Sequence, residues 1–371
     1  MDFMSALTLP SLIILASASM NNASQSTLRR LKTYLQGETE SAGISVGLTE
    51  GRHVRISIMP LSISSLNAAE QTFTFSAGVS MQWFDQNLAW NKTEYDDIEN
   101  VTISADYVWV PSVVIPNGID NVVPTSTPSP TIYSEGVGKL LFFESFKTSC
   151  QIDITLYPFD RQQCNILLMP VNGYTLEVSR SSFGNRLQSF FIENSEWELL
   201  DILAKVEDVE MQAIPTFASF EFLLKRKSMF YIVSIILPMT LLSLLNACVF
   251  LLPADSGEKI SYLISIFVSY AVFMNFVNDS IPKSGEVCRM SVYLTLVVCQ
   301  SCLAIIVTLA TLNNIFLWQS KTNVQPENVQ VDMNSHEPPC VTSASNARRT
   351  ERALFGVFLL LALMSLLVFC V

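Results

Sequence analysis

The stretch EKISYLISIFVSYAVFMNFVND, residues 258–279, is apolar enough to cross a membrane and yet carries a polar seam. Counting from Glu258, the residues Ser261, Ser265, Val268, Val272, Asn275 and Asp279 follow at steps of 3, 4, 3, 4, 3 and 4. On an α-helix those steps hold one face. The seam is polar at its base, apolar across Val268 and Val272, and polar again above, whereas Ile260, Leu263, Ile264, Phe267, Phe273 and Phe276 take the other faces. Polar groups without partners are costly against lipid, so such a seam has no place facing acyl chains. Several copies around an axis can turn their seams to a shared, water-filled lumen. Rings of Glu258 and Asp279 would then favour cations, and Val268 and Val272 would form a constriction that closes by dewetting. The competing reading is a helix whose serines bond back to its own carbonyls inside an ordinary bundle.

Around this stretch lie other long apolar runs, near 229–252, 290–312 and 353–371, each close to the ~20 residues that cross a hydrocarbon core. The 371-residue chain is half apolar, with a mean hydropathy of +0.37. Residues 3–18 form a further apolar stretch ending in Ala16-Ser17-Ala18, a small-x-small pattern that reads as a signal peptide over residues 1–18, with an uncleaved anchor as the alternative. Four spans after a secreted domain leave both ends outside. Sequons at Asn22, Asn91 and Asn100 fit a lumenal origin and mark glycosylation candidates, whereas Asn278-Asp279-Ser280 lies too near the membrane. Lys225-Arg226-Lys227 stands on the outer side of the first span, against the positive-inside rule, which a long translocated domain overrides. The expected organisation is a signal peptide at 1–18, an extracellular domain at 19–226, three spans within 227–312, a polar and disordered cytoplasmic link at 313–350, and a fourth span at 351–371.

Within the extracellular part, residues 24–36 place Leu28, Leu31 and Leu35 at helical spacing after a serine cap. Period-two alternation follows in RISIMPLSIS, QTFTFSAGVSMQW, WELLDILAKVEDV and SFEFLLKRK, which reads as a sandwich of two antiparallel sheets. Prolines at 116, 124, 128 and 130 punctuate a loop. Only Cys150 and Cys164 of the eight cysteines fall in this domain, so their pairing across CQIDITLYPFDRQQC is the default in an oxidising compartment. Cys299-x-x-Cys302, inside an apolar helix, reads as two small packing residues. No metal-ligand cluster, phosphate loop or nucleophile motif appears, and His53 and His336 stand far apart, so neither an enzyme nor a metal or other cofactor is expected. Residues 20–226 hold 24 acidic against 14 basic side chains, a balance that concentrates cations and argues against nucleic acid.

Nearly the whole mature chain resembles the Cys-loop receptors, the pentameric ligand-gated ion channels, and among them nicotinic acetylcholine receptor-like subunits. The stretches that carry the resemblance are MQWFDQNLAWN (81–91), WVPSVVIPN (109–117), FKTSCQIDITLYPFDRQQC (146–164), EWELL (196–200) and FLLPADSGEKIS (250–261). The resemblance implies a plasma-membrane pentamer, homomeric or heteromeric, each subunit an N-terminal helix and extracellular β-sandwich followed by a four-helix transmembrane bundle. It implies permeating cations and a small-molecule ligand bound between subunits. It also places the disulfide ring at the membrane end of the sandwich, where it passes movement to the pore. A ring of this size stabilises by about 3 kcal/mol, chiefly by restricting the unfolded chain, although a purely stapling role remains open. Tyr157, Pro158, Phe159 and Asp160 would form its working tip, with Phe159 apolar, Asp160 a buried or paired charge and Pro158 a fixed bend. Arg226 would pair with acidic groups of the ring or its neighbours, and Pro282 would receive the ring.

The family's ligand site wraps a cation in aromatic faces. By the resemblance Trp83 stands for the aromatic of the complementary side, but Pro116 and Val171 occupy the places of the family's principal-side tyrosine and tryptophan. The segment from Trp197 to Lys225 has no adjacent cysteine pair and no tyrosine. Tyr174, Phe217 and Phe220 could compensate, or could pack in the strand core. Acetylcholine is therefore not the expected agonist. Asn275 replaces a residue that is often apolar in the family, and Asp279 the usual glutamate. The resulting expectation is a cation-selective pentameric channel subunit. A non-conducting or accessory subunit is the alternative, and a four-span adhesion protein would leave PADSGEK and the seam unexplained.

Overall fold

The computed structural model describes residues 25–37, 53–119, 128–171, 174–179, 190–207, 216–252, 258–280, 287–322 and 340–370. The chain separates into two compact units, one of residues 1–152 with 161–225, the other of 153–160 with 226–371.

The first unit is the sandwich. Strands β1 (His53–Asn67), β2 (Thr72–Ala89), β3 (Asn100–Thr102), β5 (Thr131–Tyr133), β6 (Glu135–Ser149) and β8 (Thr175–Val178) form one sheet in the order β3-β5-β6-β2-β1-β8. Strands β4 (Val113–Val114), β7 (Arg161–Pro170), β9 (Trp197–Glu207) and β10 (Phe217–Arg226) form the other, in the order β4-β7-β10-β9. β1–β2, β2–β6, β5–β6, β3–β5, β4–β7 and β7–β10 pair antiparallel, and β1 and β8 pair parallel. Alternation decides what lies inside. In β2 the odd positions Phe73, Phe75, Ala77, Val79, Met81 and Trp83 are all buried, and in β10 the even positions Ala218, Phe220, Phe222 and Leu224 are. The two inner faces meet where Phe222 lies 5.4 Å from Phe73 and 4.6 Å from Phe75. An opening helix spans residues 25–37, with Leu31 and Leu35 buried; Arg30 donates to the carbonyl of Glu94 at 2.7 Å and lies over the Tyr95 ring.

Among the described residues, the second unit holds four helices long and apolar enough to cross a membrane. The first, Met229–Leu251, takes a π-helical turn over Ile232–Ile236. Pro238, two residues past its end, can give no N–H to the turn before it, which is a physical reason for the loosened ladder. The second spans Lys259–Ser280, the third Arg289–Thr322 and the fourth Cys340–Cys370. The last two reach well beyond the apolar runs, so the link expected to be disordered over 313–350 is helical at both ends, through Thr322 and from Cys340. Polar cross-links tie the bundle: Ser243 donates to Gln300 Oε1 at 3.1 Å, and Gln300 donates to the carbonyl of Phe358 at 2.9 Å. Phe250 and Phe358 pack 4.8 Å apart beside Leu263 and Ala304. Residues 1–18, Asn22, Pro282 and residues 323–339 lie outside the described residues.

Candidate functional site

The second apolar helix has one covered side. Lys259, Leu263, Ile266, Tyr270 and Val277 are buried, and their spacing of 4, 3, 4 and 7 keeps them on one arc. Glu258, Ser261, Ser265, Val268, Val272 and Asn275 lie on roughly the opposite arc, and all six are exposed. The side chain of Asp279 lies outside the described residues. Serine back-bonding does occur, from Ser265 to the Ser261 carbonyl at 2.8 Å and from Ser269 to the Ser265 carbonyl at 2.9 Å. It satisfies the hydroxyls without hiding Ser261 and Ser265, so back-bonding and an open polar seam coexist. The exposed arc is wider than the seam and also includes Ile264, Phe267 and Phe276.

At the disulfide ring, Cys150 and Cys164 are bonded, with Cα atoms 5.3 Å apart. Gln71 grips the base of the ring: its backbone carbonyl accepts from Cys150 N–H at 2.9 Å and its side-chain oxygen accepts from Ile152 N–H at 2.7 Å. The tip, residues 153–160, groups with the helices. Asp160 and Arg226 form a buried, bidentate pair, Nε to Oδ1 at 2.8 Å and Nη2 to Oδ2 at 3.2 Å, with side chains only 2% and 5% exposed. The guanidinium also stacks 4.8 Å from the Tyr157 ring, which meets the Tyr231 ring edge-on at 5.2 Å. Phe159 remains half exposed beside Phe369, and the Tyr157–Pro158 bond is cis. Arg289, at the start of the third helix, donates its N–H to the Thr155 carbonyl at 3.0 Å. Tyr157 and Arg226 therefore meet Tyr231 near the start of the first helix, and Phe159 meets Phe369 near the end of the fourth. Asp153 is exposed, and hydrogen bonds from the Thr155 hydroxyl and N–H hold its carboxyl below the usual range.

The aromatic residues behave differently. Trp83 is 3% exposed, and Tyr174 is 2% exposed. They bracket Trp109, whose ring stands edge-on to Trp83 at 6.0 Å and to Tyr174 at 5.6 Å. The Tyr174 hydroxyl donates to the Ser112 carbonyl, which also accepts from Val171 N–H at 3.0 Å. Burial pushes the Tyr174 phenol well above its ordinary value. Trp83 presents little surface within the subunit: the parity of β2 turns it inward, and its neighbour on β6 is Gly138, where any Cβ would lie 2.4 Å from the indole. Phe84, the next residue, is the outward aromatic. Phe220 is buried, Phe217 half-buried and Pro116 exposed in a turn, so Trp83, Tyr174, Phe217, Phe220 and Pro116 line no single exposed aromatic wall. Gly138, revealed by the register of β2 against β6, and Trp109, which opens the WVPSVVIPN stretch and lies outside the strands, were given no site role from the sequence. Asn91 and Asn100 are exposed, as glycosylation requires.

Two family profiles match the chain. "Neurotransmitter-gated ion-channel ligand binding domain" covers residues 48–228, and "Neurotransmitter-gated ion-channel transmembrane region" covers residues 235–354. The chain belongs to the Cys-loop receptor family. The family comprises receptors and channels rather than enzymes, with the ligand-binding region outside the plasma membrane and the helices within it. Among similar proteins, neuronal acetylcholine receptor subunit alpha-6 of Rattus norvegicus is 34% identical over 238 residues, which is 62% of this chain and 48% of the relative. Acetylcholine receptor subunit delta of Xenopus laevis is 28% identical over 63% of this chain and 49% of its own length. The 5-hydroxytryptamine receptor 3A of Rattus norvegicus is 28% identical over 62% and 50%. The chain spans about half the length of the curated relatives it matches.

Proposed function

We propose that this Cys-loop receptor chain is a subunit of a ligand-gated, cation-selective pentameric channel, homomeric or heteromeric, whose pore is lined by the second apolar helix. The observation that carries the reading is the exposure of Glu258, Ser261, Ser265, Val268, Val272 and Asn275 opposite the arc that packs into the subunit. Exposed serines and an amide midway along an apolar helix need water or a neighbour, and a shared lumen supplies both. Asp279 would form the outer ring. A small molecule binding between extracellular domains would open the pore, and the movement would pass through residues 157–160 and Arg226 to the helices, with Pro282 as the receiving link. Removing either member of the buried Asp160–Arg226 pair strands the other charge, so this junction transmits force only as a unit.

Reversal-potential measurements on oocytes expressing the chain test the reading. Val268→Ser should hydrate the constriction and give current without agonist, carried by sodium rather than chloride; Glu258→Ala should weaken that preference. A chloride-like reversal potential, or selectivity indifferent to Glu258, defeats it.

The inward turn of Trp83 and Tyr174, with Pro116 and Val171 in the places of family aromatics, supports a second reading: an accessory subunit that contributes no aromatic ligand box of its own. Current that appears only on co-expression with a related subunit would favour it.

A further inference from the structure

Lys259 opens the second apolar helix directly after Glu258, yet its ammonium does not share the exposed face. Its side chain is 6% exposed, on the covered arc, and Nζ lies 2.5 Å from Oε1 of Glu351 on the fourth helix, 92 positions along the chain. Two physical terms make that carboxylate necessary. A cation in the first turn opposes the positive end of the helix dipole. An ammonium withdrawn from water without a counter-charge is strongly disfavoured. Glu351 is itself 22% exposed, and its neighbours Arg349 and Arg352 are exposed cations that cannot replace it as the partner of a lysine.

We propose that Glu351 is a positioning residue for ion selectivity: it holds the Lys259 ammonium away from the Glu258 carboxylates, so that the inner ring faces the ion path uncancelled. The inference rests on the cation-channel reading above. Lysine carries its charge on a flexible four-carbon stem, long enough to seek water when its buried partner is lost. The exposed face that carries Glu258 begins one residue away. An ammonium relocated there would offset one carboxylate per subunit, and the ring would lose its field.

The test uses the full chain with Val268→Ser, read by sodium–chloride reversal potentials and single-channel conductance. Glu351→Ala should lower the sodium-to-chloride permeability ratio several-fold and reduce conductance. Lys259→Ala combined with Glu351→Ala should restore both, because no ammonium is left to migrate, and Glu351→Asp should stay near the parent. A merely structural role would not be repaired by deleting the lysine. Should Glu351→Ala fail to reach the surface, by biotinylation, the double variant must recover both surface protein and conductance; failure of the double variant assigns Glu351 to folding and overturns the proposal. Unchanged selectivity in Glu351→Ala overturns it too, while leaving the channel reading intact. An absence of current in the Val268→Ser parent removes the channel reading and this inference with it.

Discussion

Trp83 and Tyr174 in the sandwich, and the seam of the second apolar helix, end in opposite environments. The large aromatic side chains, chemically suited to hold a cation, are sealed inside, edge-on to Trp109. The seam, whose serines and asparagine look ill-suited to an apolar helix, is left open. Side-chain chemistry marks a functional residue only when the fold presents it. In β2 the strand parity withholds Trp83; in the second helix the other three helices cover one arc and leave the other bare. The contrast predicts that the sealed rings govern stability, whereas the seam governs conduction with little effect on stability.

The harshest way to break the comparison is Trp83→Ala. Truncating a buried indole should cost about 3–5 kcal/mol of stability, followed by denaturation of the full chain in detergent. A Trp83→Ala protein as stable as wild type, with an altered agonist response, would return Trp83 to a ligand-facing role and cancel the contrast. A milder probe approaches the same ring from its partner strand. Gly138→Ala builds a methyl into space the indole occupies, at 2.4 Å, and overpacking of this kind should cost about 1–3 kcal/mol.

Much of this arrangement was legible in the sequence. The seam, the disulfide ring and the alternation of β1, β2, β9 and β10 depend on spacing within short windows, and local spacing is what a sequence displays. What was not legible depends on partners far away along the chain. Whether Trp83 points inward follows from its register against Gly138, 55 positions later, and a one-residue shift would have reversed it. The lysine beside Glu258 is disposed of by Glu351, which no local pattern connects to it. The helical ends of the link between the third and fourth helices were missed for another reason: hydropathy marks where a span leaves the bilayer, and NNIFLWQSKT can leave it while remaining helical.

A third test sharpens the sealed side. Tyr174→Phe removes the hydroxyl that caps the Ser112 carbonyl, at a cost of about 1 kcal/mol. It also changes the alkaline limb of stability. The folded phenol is raised by burial, so its contribution is present below the ordinary tyrosine value of about 10 and is lost as pH rises above it, because the unfolded chain can then ionise and the folded one resists. Wild type should therefore lose stability above about pH 10 more steeply than Tyr174→Phe, by denaturation at stepped pH.

The smallest effect is expected in the seam itself. Ser265→Ala deletes an exposed hydroxyl that donates back to the Ser261 carbonyl of its own helix. That carbonyl already belongs to the helical ladder, and nothing across the bundle depends on the hydroxyl, so stability should move by less than about 0.5 kcal/mol. On the proposed channel reading conductance should fall, because a methyl would replace a group that hydrates the lumen. The two readouts separate presentation from packing at one position. If Ser265→Ala destabilises the chain as much as Tyr174→Phe while conductance holds, the hydroxyl is buried against a neighbouring surface, and the open seam is a contact face rather than the wall of a pore.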